Sequence, residues 1–240
     1  MLLFFFDFFK NKCYNIIIDN KKKGNDIMTP EQIFEIIKNK WSTKYDLLTE
    51  STVEDIIKPE QNFSDYDYRY GATKFVLIAP KEDFVIKIPF CGEYYDEEFS
   101  EFCGGWDGNW DYCKTEEELY KIAAEKGIEQ CFARTFSIGE VGGYTIYAQE
   151  KARIWSEVHS TNDYEKEKTE SIKEKCNENH KYYYCFHACW LSDFLDYYGN
   201  TVFEKFMDFV EAYSIEDLHS SNLGYINGRP VVVDYSGFYD

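Results

Sequence analysis

The sequence is short of positive charge. Lys and Arg number 26 against 44 Asp and Glu, a formal net charge of −18 over 240 residues. A protein that grips a nucleic-acid backbone needs a field of Lys and Arg, so that class of partner is excluded. A nucleotide is not excluded, because one local Lys together with Mg²⁺ can overcome the global sign; the acid excess by itself provides solubility. No apolar run reaches the roughly 20 residues of a membrane span. The start, Met1 to Lys10, is apolar, but it lacks a basic leader region, is broken by Asp7 and Lys10, and has no small-residue cleavage site. There is no Gly-x-x-x-x-Gly-Lys-Ser/Thr, which excludes a P-loop. The cysteines lack paired zinc spacing: Cys91, Cys103 and Cys113 are too irregular, and Cys185, His187 and Cys189 step by two along an expected helix, so they cannot all face one ion. With Cys13, Cys131 and Cys176 they read as reduced thiols of a cytoplasmic protein.

What is present is aromatic and long enough to bury a core. With 21 Tyr and 20 Phe in 240 residues, one domain or one two-lobed domain is expected. Residues 1–27 read as a non-native or disordered extension, with Met28 as the expected native start; the alternative is a small hydrophobic strand or anchor. Thr29-Pro30-Glu31-Gln32 forms a capping box with Pro at the first helical position. Ile33, Phe34, Ile36, Ile37 and Trp41 then give an apolar helical stripe. A second short helix is expected from Thr52 to Lys58, and both are expected on the back of the next unit.

Tyr70 to Ala79 and Phe84 to Phe90 read as paired strands around Pro80-Lys81-Glu82-Asp83. Lys87 sits amid apolar residues in Val-Ile-Lys-Ile and needs an anionic partner, since burying it alone is costly. Residues 91–112 form an acidic, aromatic insertion, long for a loop and hence functional or mobile. Lys114 to Gly127 reads as a helix with Thr115 as cap and Glu116, Glu117 and Glu118 in its first turn. A second hairpin follows, from Cys131 to Ala152 around Gly139 to Gly143. Residues 157–179 are charged and solvated; His180 to Tyr198 and Val202 to Tyr213 read as helices, the latter capped by Asn200-Thr201.

The end of the chain carries the chemistry. Leu223 to Ile226, Asn227-Gly228 and Val231-Val232-Val233 read as a hairpin with its strongest turn signal. Asp217, Asn222 and Asp234 flank it, one base and two oxygen ligands of the kind that Mg²⁺ takes alongside phosphate. Asp217-Leu-His-Ser-Ser-Asn222 resembles the catalytic loop of the protein kinase-like superfamily. Asp234-Tyr-Ser-Gly237 resembles its metal-binding Asp-Phe-Gly, with one extra residue, and Lys87 its phosphate-holding lysine.

That resemblance covers roughly residues 68–240. It implies an α+β two-lobed fold, a five-stranded antiparallel N-lobe sheet over a reduced helical C-lobe. The implied division is 28–60 helical, 61–151 N-lobe and 152–240 C-lobe. It also implies ATP and Mg²⁺ as cofactors. Lys87 and Glu116 would position phosphates, with Glu117 and Glu118 as rivals to Glu116. Gly71 would lie in the phosphate-covering turn, and Gln149 and Glu150 would begin the adenine hinge. Asn222 and Asp234 would hold metal, and Asp217 would act as base.

Beyond that extra residue, the sequence departs from the family in three ways: one glycine at the phosphate turn, Ile215-Glu216 in place of His-Arg, and six residues after Asp234. The implied activity is phosphotransfer to a small molecule or a partner protein, with nucleotidyl transfer as a variant. The alternative is a non-catalytic kinase-like (pseudokinase) binding module that engages a partner protein.

Overall fold

Alternation of apolar and polar residues gives the central sheet two unlike faces. The computed structural model describes residues 27–41, 50–70, 74–89, 93–96, 101–104, 111–158, 172 and 188–236. The sheet is antiparallel and five-stranded: β1 (Asp67–Tyr70), β2 (Lys74–Ile78), β3 (Phe84–Pro89), β7 (Tyr144–Glu150) and β6 (Thr135–Val141), in that spatial order. Register fixes the faces. Val76 lies opposite Lys87, Lys87 opposite Tyr147, and Gln149 opposite both Val85 and Thr135. With a side-chain period of two, Lys74, Lys87, Tyr147, Gln149 and Thr135 share one face, and Phe75, Leu77, Ile86, Ile88, Ile146 and Ala148 the other.

The apolar face is covered by α1 (Pro30–Lys40) and α2 (Glu50–Ile57), through Ile33, Phe34, Ile37, Val53, Ile56 and Ile57. The capping box of α1 is formed: Thr29 Oγ1 accepts from the Gln32 amide at 3.3 Å, and the Gln32 side chain accepts from the Thr29 amide at 2.8 Å.

The polar face is covered by α3 (Tyr112–Lys126). Its start corrects the sequence reading. Asp111, not Thr115, is the N-cap, its Oδ1 accepting the Lys114 amide at 3.0 Å. Thr115 lies one turn inside, and the first turn holds no acid, which moves Glu116 into the buried second turn. The 91–112 insertion contains a separate two-stranded hairpin, β4 (Glu93–Asp96) with β5 (Glu101–Gly104), and its last residues already belong to α3 and its cap.

The opposite side of α3 joins a second, aromatic core. Leu119 and Ala123 pack there with Trp190 and Phe194 of α5 (Ala188–Tyr198), with Phe203, Phe206 and Phe209 of α6 (Asn200–Ala212), and with Tyr235. Gly199 precedes α6 without a side-chain cap bond, so the expected Asn200-Thr201 cap is not used; both residues are helical. After β7 the chain makes β8 (Arg153–Ile154) and a short helix, α4 (Trp155–Val158). β8 pairs with β9 (Leu223–Ile226), and β9 pairs with β10 (Arg229–Val232). Asn227 and Gly228 take φ of 52° and 82°, the left-handed pair that a two-residue hairpin turn requires.

Cys113, Cys131 and Cys189 are buried and form no disulfide. Among the described residues no helix is long and apolar enough to cross a membrane. Cys176, His180, Cys185 and His187 lie outside the described residues, as do 1–26 and most of 157–179.

Gly224 of β9 is where β8 crosses closest. A Cβ there would sit 2.8 Å from the Arg153 carbonyl oxygen and 3.2 Å from Ala152 Cβ, and backbone cannot yield as a side-chain tip can. Gly224→Ala is therefore expected to lower the unfolding free energy by about 1–3 kcal/mol, as overpacking does. A urea midpoint equal to that of the unaltered protein would refute this.

Candidate functional site

Four charged groups converge where β2, β3, α3 and the end of β10 meet. Lys87 Nζ donates to Glu116 Oε1 at 2.8 Å, to Glu116 Oε2 at 2.7 Å and to the Val233 carbonyl at 3.0 Å. Lys74 Nζ donates to Glu116 Oε1 at 2.9 Å and to Asp234 Oδ1 at 2.8 Å. Glu116 is fully buried and the two lysines nearly so. Charges at such depth persist only when paired and fully hydrogen-bonded. Neutral groups complete the set. Thr135 Oγ1 donates to Glu116 Oε2 at 2.9 Å, and Gln149 Nε2 lies 2.7 Å from Thr135 Oγ1 and 2.8 Å from the Val233 carbonyl.

The helix that carries Glu116 is held on either side of it. Asp111 caps the helix with one oxygen and accepts the Tyr147 hydroxyl with the other, at 2.5 Å. Glu117 Oε1 accepts from Ser137 at 3.4 Å. Glu117 thus faces the outer strand and Glu118 faces solvent, leaving Glu116 as the partner of Lys87.

The acids at the end of the chain are assembled by the hairpin. The Val233 amide donates to the Asn222 carbonyl at 2.9 Å, which sets Asn222 and Asp234 at the same open end of the β9–β10 ladder. Asn222 Nδ2 donates to the Asp217 carbonyl at 2.7 Å and to Asp217 Oδ2 at 3.1 Å. His219 Nδ1 accepts from the Ser221 amide at 3.2 Å, which leaves Nε2 as the protonated nitrogen, 3.4 Å from Asp217 Oδ1. Both oxygens of Asp217 therefore face a donor.

Burial alone would raise the pKa of Asp234. The ammonium groups of Lys74 and Lys87 outweigh it and hold that carboxyl well below the ordinary range. Burial alone would lower Lys74, and the carboxylates of Asp234 and Glu116 outweigh it, so this amine stays charged well above its usual value.

Of the sequence-derived candidates, Lys87, Glu116, Gln149 and Asp234 meet in one hydrogen-bonded cluster, and Asn222 ties Asp217 to the hairpin end beside it. Gly71 lies outside the described residues. Gln149 and Glu150, expected to begin the hinge, are the last two residues of the inner strand β7, and the side chain of Gln149 is committed to the cluster. The Glu150 amide donates to Arg134 and the Lys151 amide to Asp83, so neither is open to an adenine edge.

Lys74 was not foreseen. The signal was there: in Lys74-Phe-Val-Leu-Ile the apolar face is set by Phe75 and Leu77, which puts Lys74 on the face of Lys87.

Among the described residues, no cluster of three or more His, Cys, Asp or Glu side chains suits a metal ion. The hard oxygen donors here are the Asp234 carboxylate and the Asn222 amide oxygen, which has no hydrogen bond among the described residues. That set fits an ion that fills its remaining positions with phosphate and water, as Mg²⁺ does.

Comparison with known proteins adds little. No protein-family model matches the chain, and no curated protein does. Among solved structures, the streptomycin–ATP–APH(2″)-IIa ternary complex aligns over 79% of this chain and 72% of that one, at 10% identity and a TM-score of 0.27. Backbones that superpose so loosely share too little geometry to bear on fold or activity.

Glu116→Gln leaves two buried ammonium groups with half their compensation. It is expected to cost about 3–5 kcal/mol, read as a drop in urea midpoint; a cost under 1 kcal/mol would show that the lysines relax to water. The pH profile follows from the two shifts. The lowered carboxyl of Asp234 contributes stability that is complete above the unfolded pKa of about 3.9, and lost as pH falls through the lower folded value. The raised Lys74 contributes below its unfolded pKa of about 10.4, and loses this as pH rises through the higher folded value. The stability difference between the protein and Asp234→Asn should therefore stay flat between about pH 5 and pH 9; a slope inside that window would contradict the pairing.

Proposed function

We propose that this chain is an ATP- and Mg²⁺-dependent phosphotransferase of the protein kinase-like type. One observation carries the reading. A chain of charged contacts runs from Lys87 through Glu116 and Lys74 to Asp234, and the backbone bond between Val233 and Asn222 sets the Asn222–Asp217 pair at the same hairpin end. Phosphoryl transfer asks little covalent work of a protein; it asks for positioned cations, metal ligands and an aimed base.

In this reading Lys87 holds the nucleotide phosphates, and Glu116 holds Lys87. All three ammonium hydrogens of Lys87 have acceptors, so its position is fixed before a nucleotide arrives, and a phosphate oxygen would take the place of one of them. Asp234 and the amide oxygen of Asn222 would hold Mg²⁺, which supplies neutralisation of charge on the phosphate oxygens. Asp217 takes the proton of the acceptor hydroxyl. Asn222 and His219 keep its two oxygens oriented, and its side chain remains about one-third exposed, open to an acceptor. The kinase-like, two-lobed arrangement belongs to the same proposal, as does the division at residues 28, 61 and 152. Chemistry of this kind does not select between a small-molecule and a protein acceptor.

The test uses labelled ATP with Mg²⁺, water serving as the default acceptor, alongside nucleotide-induced thermal stabilisation. Asp217→Ala is expected to keep the stabilisation and to lose roughly 10²–10⁴-fold in turnover, the span of a general base. Unchanged turnover in Asp217→Ala would overturn the assignment. Stabilisation by Mg²⁺–ATP that depends on Asp234, with no turnover in the unaltered protein, would instead identify a non-catalytic nucleotide-binding module.

A further inference from the structure

Lys74 has no role in the scheme above, yet it is buried and shared between two carboxylates. We infer that Lys74 is the resident counter-ion of Asp234. It takes the cationic place beside that carboxylate until a phosphate ligand arrives, and so keeps a free divalent ion out of the site. The inference rests on the phosphotransferase reading for the identity of the arriving anion.

Two ammonium groups and two carboxylates, Lys74, Lys87, Glu116 and Asp234, make a neutral cluster. A divalent ion added at Asp234 alone would stand within a few ångströms of Lys74, in a poorly solvated place with nothing to offset it. A polyphosphate carrying its own metal removes that obstacle. Asp234 then turns from Lys74 to the ion, and Lys74 turns to a phosphate oxygen.

The hydrogen-bond inventory separates the two lysines. Lys87 has three acceptors and is saturated, whereas Lys74 has two, Glu116 Oε1 and Asp234 Oδ1. An ammonium has three donors, so one N–H of Lys74 is uncommitted among the described residues. Position agrees with this. Lys74 is the first residue of β2, two residues from Val76, whose cross-strand partner is Lys87. The two amines therefore approach the same carboxylate from neighbouring strands.

The experiment titrates the full chain with Mn²⁺ alone, following the free-ion signal by electron paramagnetic resonance. The unaltered protein is expected to bind weakly. Lys74→Met should bind at least about tenfold more tightly, and Lys74→Met with Asp234→Asn should lose that gain. Lys74→Arg keeps the charge and should stay at the unaltered level, an arm that holds even where the methionine variant does not fold. Tight Mn²⁺ binding by Lys74→Arg, no gain in a folded Lys74→Met, or a gain that survives Asp234→Asn would each overturn the inference.

A parallel titration with Mg²⁺–ATP, read by thermal stabilisation, separates the two readings. No stabilisation of the unaltered protein, with the Mn²⁺ gain intact, would reject the nucleotide and support the counter-ion role.

Discussion

One carboxylate holds this molecule's polar interior together. Glu116 accepts from two ammonium groups and a hydroxyl, and no part of it reaches water. Its desolvation is tolerable only because every partner is in place, and the converse holds for both lysines. The sheet register, the depth of Glu116 in α3 and the return of the chain at Val233 and Asp234 must therefore agree. A one-residue slip in β2 or β3 would turn an ammonium to the apolar face, where Phe75, Leu77 and Ile86 meet α1 and α2.

The two cores share the work unequally. The aliphatic core under α1 and α2 and the aromatic core around α5 and α6 stabilise by burial. Between them lies the polar face of the sheet, which is costly to desolvate and gives no such return. A sheet that needed only stability would carry apolar residues on that face too. This one spends it on Lys74, Lys87, Gln149 and Thr135, a local departure from good packing of the kind found where binding or chemistry is done.

Much of the frame was legible in the sequence because the signals were local. The Thr29 capping box, the Asn227-Gly228 turn and the turn residues between β2 and β3 each depend on a few neighbouring residues. Lys87 announced itself as one cation in an apolar strand, and Glu116 as one of three neighbouring acids on a helix. What escaped notice was decided by contacts distant in sequence. Asp111 outcompeted Thr115 as cap because its second oxygen meets Tyr147, 36 residues on. Lys74 passed unremarked within the Tyr70 to Ala79 strand, because nothing nearby says that Asp234, 160 residues later, will reach it. That the side chain of Gln149 would join the cluster was equally hidden, because its partner Val233 lies 84 residues later.

The double use of Asp111 has a mechanical result. The carboxylate that begins α3 also bolts it to the inner strand of the sheet, five residues before Glu116, and Glu117 adds a weaker tie just after. A lever pinned on both sides of its working point cannot pivot about either end. Any signal that sought to silence this cluster by swinging the helix away would have to undo all of these fastenings in one motion.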